Sequence, residues 1–249
     1  MLIVNADDLG RTEHETDATL ACWHARAISS ATHMVWMDDS DRAAALAREA
    51  GLPTGLHLNL IQAYTGRDAG PEARERQRRL ADHLGGRRPG TNQLLYEPRL
   101  RATVDGVIRD QLARFRESFG AEPTHVDSHH HAHLAPTVLL SRSLAAGTRV
   151  RRGLRFRPGE RSALERALRE SRHALMSRRF RCTDWFLDIR DMHPALGGAG
   201  LESKLAMAAS GSVEVMVHPG VPTELELLLG EEWRRIAAEL RARSYAALG

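Results

Sequence analysis

Four short strand-length segments of this chain carry polar residues that packing does not call for. Residues 2–6 lead into Asp7-Asp8, residues 55–60 carry His57, residues 124–130 hold His129, and residues 213–217 run into His218. Longer amphipathic stretches lie between them. Apolar runs of strand length that alternate with helical stretches argue for an α/β fold with a parallel sheet. The spacing predicts further strands over 32–37, 154–156 and 185–189. It predicts helices over 15–27, 41–50, 103–119, 161–178, 201–209 and 231–243, with another starting near Pro136. The stripe Val104, Val107, Ile108, Leu112, Phe115 and Phe119 has helical period, and Gly120 ends it. About seven strand–helix repeats favour a closed or nearly closed barrel over an open sheet. Barrel sites lie at the carboxyl ends of the strands; Asp7-Asp8, His129 and His218 end theirs and His57 lies in the third, so four segments would converge on one mouth.

The second constraint is a nine-residue segment, His125-Val126-Asp127-Ser128-His129-His130-His131-Ala132-His133, with five histidines and one aspartate. Imidazole is the commonest neutral metal ligand, and a carboxylate is its usual orienting partner. If the whole segment were strand, His125, Asp127, His129, His131 and His133 would share one face. Such a row spans about 27 Å, so one ion reaches one or two of these histidines at most. Asp127 would then orient a ligand. Asp7 and Asp8 face opposite sides in a regular strand, but a strand turning into a loop aims both inward. One carboxylate can then bind a cation while the other accepts a proton, although such a pair also suits a helix N-cap. Asp with two His and water fits Zn²⁺, Mg²⁺, Mn²⁺ or Co²⁺. Three protein ligands leave a place for water, as in catalytic sites. The residues by themselves therefore read as metal-assisted hydrolysis in a barrel.

Composition closes other routes. The chain has 249 residues, 42% hydrophobic and 27% charged, enough for a buried core. All but one of its 35 basic residues are Arg, the exception being Lys204, and they are interspersed with acids. That pattern is not a nucleic-acid footprint, and one Lys in a weak context makes Schiff-base chemistry a poor reading. Cys22 and Cys182 form no CxxC, so neither a thiolate zinc site nor a disulfide framework is suggested. The start of the chain lacks a signal-peptide pattern and no apolar run reaches membrane length, so a cytoplasmic protein is expected. With no linker or repeat, residues 1–249 read as a single domain. Residues 63–100, rich in Gly and Arg, read as an insertion over the barrel mouth.

Residues 3–10 (IVNADDLG), 55–58 (GLHL), 124–133 (THVDSHHHAH) and 214–220 (EVMVHPG) resemble the YdjC-like (ChbG/HpnK) carbohydrate deacetylases, in that family's order and similar spacing. The resemblance implies an irregular (β/α) barrel of about seven strands, related to polysaccharide deacetylases. It implies removal of an acetyl group from an N-acetylated sugar, such as a chitooligosaccharide. It further implies one divalent metal ion, Mg or Zn foremost and Mn or Co otherwise, held by Asp8, His57 and His129. Asp7 would be the base, His218 the acid, and Arg155, Asp127, His131 and His133 would touch substrate or orient the ligands. Thr16 stands where the family usually shows Asn, and Ala27 where it shows Gly. The competing readings are another metal hydrolase on such a barrel, acting as a phosphoesterase or amidohydrolase, and the family's hopanoid-pathway branch. The expected partner is the sugar, with no nucleic acid and no membrane, and with a homodimer left open.

Overall fold

The computed structural model describes residues 1–85, 96–154 and 162–248. In chain order the strands are β1 (Leu2–Leu9), β2 (Ser30–His33), β3 (Thr54–Leu58), β4 (Val126–Ser128), β5 (Trp185–Asp188) and β6 (Val213–Val217). The helices are α1 (Glu13–His24), α2 (Ser40–Glu49), α3 (Pro71–Gly85), α4 (Arg101–Phe119), α5 (Pro136–Leu139), α6 (Ala163–Arg179), α7 (Leu201–Leu205), α8 (Pro222–Leu229) and α9 (Glu231–Glu239). All strand pairs are parallel, in the order β4-β3-β2-β1-β6-β5.

Period-two alternation sorts each strand into two faces. Leu2, Val4, Ala6, Ala31, Leu187, Val213, Val215 and Val217 point outward into one apolar cluster with Cys22 and Trp233, while Leu56, Leu58 and Val126 join a second with Val107, Ile108 and Phe115. The inward positions between them are mostly polar: Asn5, Asp7, Thr32, His57, Asp127 and Glu214, all buried. The sheet must curl around this lining. β4 and β6 stand four steps apart in the strand order, about 19 Å in a flat sheet with about 4.8 Å between neighbours. Ligand atoms of Asp127 on β4 and Glu214 on β6 nevertheless lie within 4.8 Å of each other.

Six strands are present among the described residues, one fewer than expected. The expected strand at 154–156 is not seen at Leu154, and residues 155 and 156 lie outside the described residues. Single bridges from Val150 to Val126 and from Arg149 to Arg181 instead continue the sheet edge beyond β4. Gly55 is required in β3, because a Cβ there would sit 2.5 Å from His125 Nδ1. Gly120 caps α4 in the left-handed conformation, φ 67°. Among the described residues no helix is long and apolar enough to cross a membrane.

Two helices were not anticipated, α3 and α8. The first lies inside the stretch read as an insertion over the mouth. Its Leu80 and Leu84 are buried in the same cluster as Val104, Val107 and Ile108 of α4, and Gln77 donates to the Gln62 carbonyl. Its Arg-rich sequence hid this apolar edge. Leu80→Ala should therefore destabilise the fold by about 2–5 kcal/mol, measured by denaturant unfolding. A change within about 0.5 kcal/mol, the range of an ordinary surface substitution, would show that α3 is not part of the core.

Candidate metal centre

A distortion of β1 brings the two acids to one place. The β1–β2 register shifts between Ala6 and Leu9, and Asp8 takes φ 66°, a left-handed conformation that Asp tolerates better than most residues. A regular strand would send Asp7 and Asp8 to opposite faces. The irregularity lets both carboxylates enter the interior, as a strand turning into a loop was expected to do.

The histidine segment departs from the row expected of it. β4 ends at Ser128, and residues 129–134 form a 3-10 turn in which His130 and His131 are left-handed, φ 52° and 56°. The shared face is thereby broken, and each histidine has a different fate. His129 Nδ1 lies 3.0 Å from Asp8 Oδ1. His131 packs edge-on to Phe186, its Nδ1 has no hydrogen-bond partner, and burial holds its pKa down to about 4. His133 is saturated: Nδ1 meets Ser128 Oγ at 2.9 Å and Nε2 donates to the Arg151 carbonyl at 3.0 Å. His125 stacks on Tyr245 with ring centroids 3.7 Å apart.

Asp8, His57 and His129 present ligand atoms within 4.8 Å of one another. His57 Nε2 is 3.3 Å from Asp8 Oδ1, the same oxygen that faces His129. The other nitrogen of His57 donates to Asp127 Oδ1 at 2.7 Å, which fixes the ring and points Nε2 at Asp8. Thr32 donates to Asp127 Oδ2 at 3.1 Å and accepts from Asn5, whose amide also donates to Asp7. One polar side chain from each of four neighbouring strands thus forms a continuous ladder. On the open side Arg11 pairs with Asp8 Oδ2 at 3.1 Å and with Glu15 at 2.7 Å.

Arg151 organises the other half. Fully buried, it donates through Nη1 and Nη2 to the two oxygens of Asp7, both at 2.6 Å, and through Nε to Glu214 at 2.7 Å. Its Nη2 also lies 2.8 Å from Asp127 Oδ2. Burial would raise the pKa of Asp7, but Arg151 reverses this and holds the carboxyl far below the usual range. Asp8 is likewise depressed, with burial overridden by hydrogen bonds from His129 and His57. Burial opposes the His57 imidazolium, yet Asp127 and Asp8 outweigh it and push its pKa up to about 10.

His218 follows β6, half-buried. Its backbone N–H donates to Glu224 Oε2 at 2.6 Å, and its Nδ1 lies 3.6 Å from Oε1 of the same carboxylate. Burial works against its charge, but Glu224, Asp7 and Asp8 prevail and its pKa is raised. Arg155 lies outside the described residues. The arginine that holds Asp7 among the described residues is Arg151, which sequence reading passed over in a stretch rich in arginine. Asn5, Thr32, Glu214, Glu224 and Tyr245 were also missed. Asn5 and Glu214 carried a usable signal, since a polar residue inside an apolar strand needs a buried partner.

A raised pKa means that folded His57 holds its proton more tightly than the unfolded chain does. Its contribution to stability is complete below about pH 6.5 and is lost as pH rises through about 10. Thermal denaturation of chelator-treated protein should thus show stability falling across that window. His57→Gln should flatten the fall; an equally steep decline in the variant would remove His57 as its source.

A sequence profile described as YdjC-like protein matches residues 1–248. A carbohydrate deacetylase of Mus musculus is 29% identical over 260 residues, spanning 89% of this chain and 78% of its own length. A chitooligosaccharide deacetylase of Serratia marcescens is 35% identical over 141 residues, 55% of this chain and 52% of its own length. A solved structure from Enterococcus faecalis V583, described as a candidate cellobiose-phosphate cleavage protein, has a TM-score of 0.68 at 19% identity. It covers 100% of this chain and 98% of that one, and shows the shared fold.

Proposed function

This chain belongs to the YdjC-like family, and on that premise we propose that it is a divalent-metal-dependent carbohydrate deacetylase, removing the acetyl group of an N-acetylated sugar of the chitooligosaccharide type. The observation that carries the reading is the meeting of Asp8, His57 and His129 within 4.8 Å, with Asp7 held beside them. One carboxylate and two imidazoles are a fitting donor set for such a cation, and His57 already hands its other ring N–H to the Asp127 carboxylate, as metal-ligating histidines do. When bound there, a divalent cation supplies Lewis acidity, polarising the amide carbonyl and making water acidic enough to lose a proton near neutral pH.

The remaining work falls to the protein. Asp7 takes the proton of the attacking water. Arg151 keeps that carboxylate ionised and fixes its plane. His218 gives a proton to the departing amine, and Glu224 behind it favours the charged form that can do so. Asp127 orients His57. His133 braces the turn against the Arg151 backbone, and His131, whose buried Nδ1 is unpartnered, keeps a substrate-contacting or ligand-orienting role in this reading. Arg155 retains a substrate-contacting role in the proposal. A two-metal phosphoesterase reading is disfavoured, because the neighbouring groups Asp7–His57–Asp127 and His125–Asp127–Glu214 are tied up by Arg151.

The test is acetate release from N-acetylated sugars after chelation, with Mg²⁺, Zn²⁺, Mn²⁺ and Co²⁺ restored singly. Silence with every sugar and every cation would sink the reading. Asp7→Asn should retain metal and lose turnover by about 10²–10⁴-fold; near-normal turnover removes Asp7 as base. His129→Ala should weaken metal binding more than about tenfold, and unchanged metal content in the purified variant refutes the ligand assignment.

A further inference from the structure

The arginine that holds Asp7 is itself held from the opposite end of the sheet. Glu214 takes Arg151 Nε on Oε1 and the Tyr245 hydroxyl on Oε2. Tyr245 is fully buried, in a 3-10 turn over Tyr245–Ala247. The segment around it crosses the amino-terminal ends of the strands. Arg243 N–H donates to the Leu2 carbonyl at 2.8 Å, and Ser29 Oγ donates to the Arg243 carbonyl at 2.8 Å. Arg149, two residues before Arg151, donates to the Leu248 carbonyl at 2.8 Å. The tyrosine ring lies flat against His125, with 9° between the planes, so the hydroxyl has one direction to point.

We propose that Tyr245, acting through Glu214, is a positioning residue for the Arg151–Asp7 pair, so that residues 243–248 aim the base from the far end of the sheet. Held only by Asp7 and Asp127, the guanidinium could rock between two carboxylates. The Nε bond to Glu214 supplies the third direction that locks its plane. Glu214 can serve Nε only while its second oxygen is satisfied elsewhere. Without the hydroxyl, that oxygen is buried and unpaired, a costly state. The carboxylate then turns to collect a second Arg151 nitrogen and draws the guanidinium away from Asp7. Filling the floor of the sheet needs only an aromatic ring; the hydroxyl aimed at Glu214 is the part that packing does not require.

The kinetic arm of the test rests on the deacetylase reading, and a second arm does not. Tyr245→Phe keeps the ring and removes the hydroxyl. With N,N′-diacetylchitobiose, kcat should fall about tenfold with KM within about twofold, because ground-state binding is untouched. Zinc affinity by calorimetry should stay within about threefold, since Asp8, His57 and His129 are not contacted by Tyr245. Independently of turnover, the Arg151 Nε–H signal in ¹⁵N spectra, assigned by its loss in Arg151→Lys, should exchange at least about tenfold faster in the variant. Glu214→Leu, which removes the acceptor of Arg151 Nε, should reproduce both changes and carries the test if Tyr245→Phe does not fold. Wild-type values for kcat and exchange in Tyr245→Phe overturn the proposal, as does a loss of kcat matched by an equal loss of zinc affinity. A wild type that deacetylates no sugar sinks the deacetylase reading alone, and the exchange measurement then decides this one.

Discussion

A single buried guanidinium sets the terms for this structure. Arg151 meets Asp7, Asp127 and Glu214, which come from three strands, with no exposure to water. Charges taken out of water cost several kcal/mol each unless geometry and hydrogen bonding repay them. Arg151 is the partner common to all three acids, so the sheet has to curl until they reach one group. Loss of the arginine would strand three carboxylates in the interior, whereas loss of an outward-facing valine would remove only apolar contacts. The apolar outer face makes the sheet stable; the ionic inner face specifies its curvature.

The centre is assembled from local irregularities placed where regular strands would fail. Asp8 enters through a register shift and a left-handed backbone. His129 is brought to Asp8 because β4 stops after three residues and the chain turns at once through two left-handed histidines. Backbone in sparsely populated conformations costs about 1–3 kcal/mol per residue and persists where surrounding structure over-determines it. Here the surroundings are the polar ladder beneath and the bonds from His133 to Ser128 and to the Arg151 backbone.

Environment also divides labour among groups that look alike in the chain. Asp7 and Asp8 are neighbours, yet one is clamped by an arginine and the other faces two imidazoles. His57 is pushed up to about 10 by its carboxylates, while His131 is held down to about 4 by burial. Glu214, raised to about 7 by burial against the pull of Arg151, stands apart from both acids of β1. Groups pushed in opposite directions at one site are what acid–base chemistry at neutral pH requires.

The sequence alone determined the strand–helix alternation, the family, and the convergence of Asp7, Asp8, His57, His129 and His218, because period and strand ends are local properties that a chain displays. It did not determine α3, whose buried apolar edge is Leu80 and Leu84 beside Gln77 in a stretch of arginines, or the fate of the histidine row, which depends on where β4 stops. Above all it could not single out Arg151 among its many arginines, or join Tyr245 to Glu214. An ion pair is specified by distance across the folded interior, and only the tertiary structure supplies that distance.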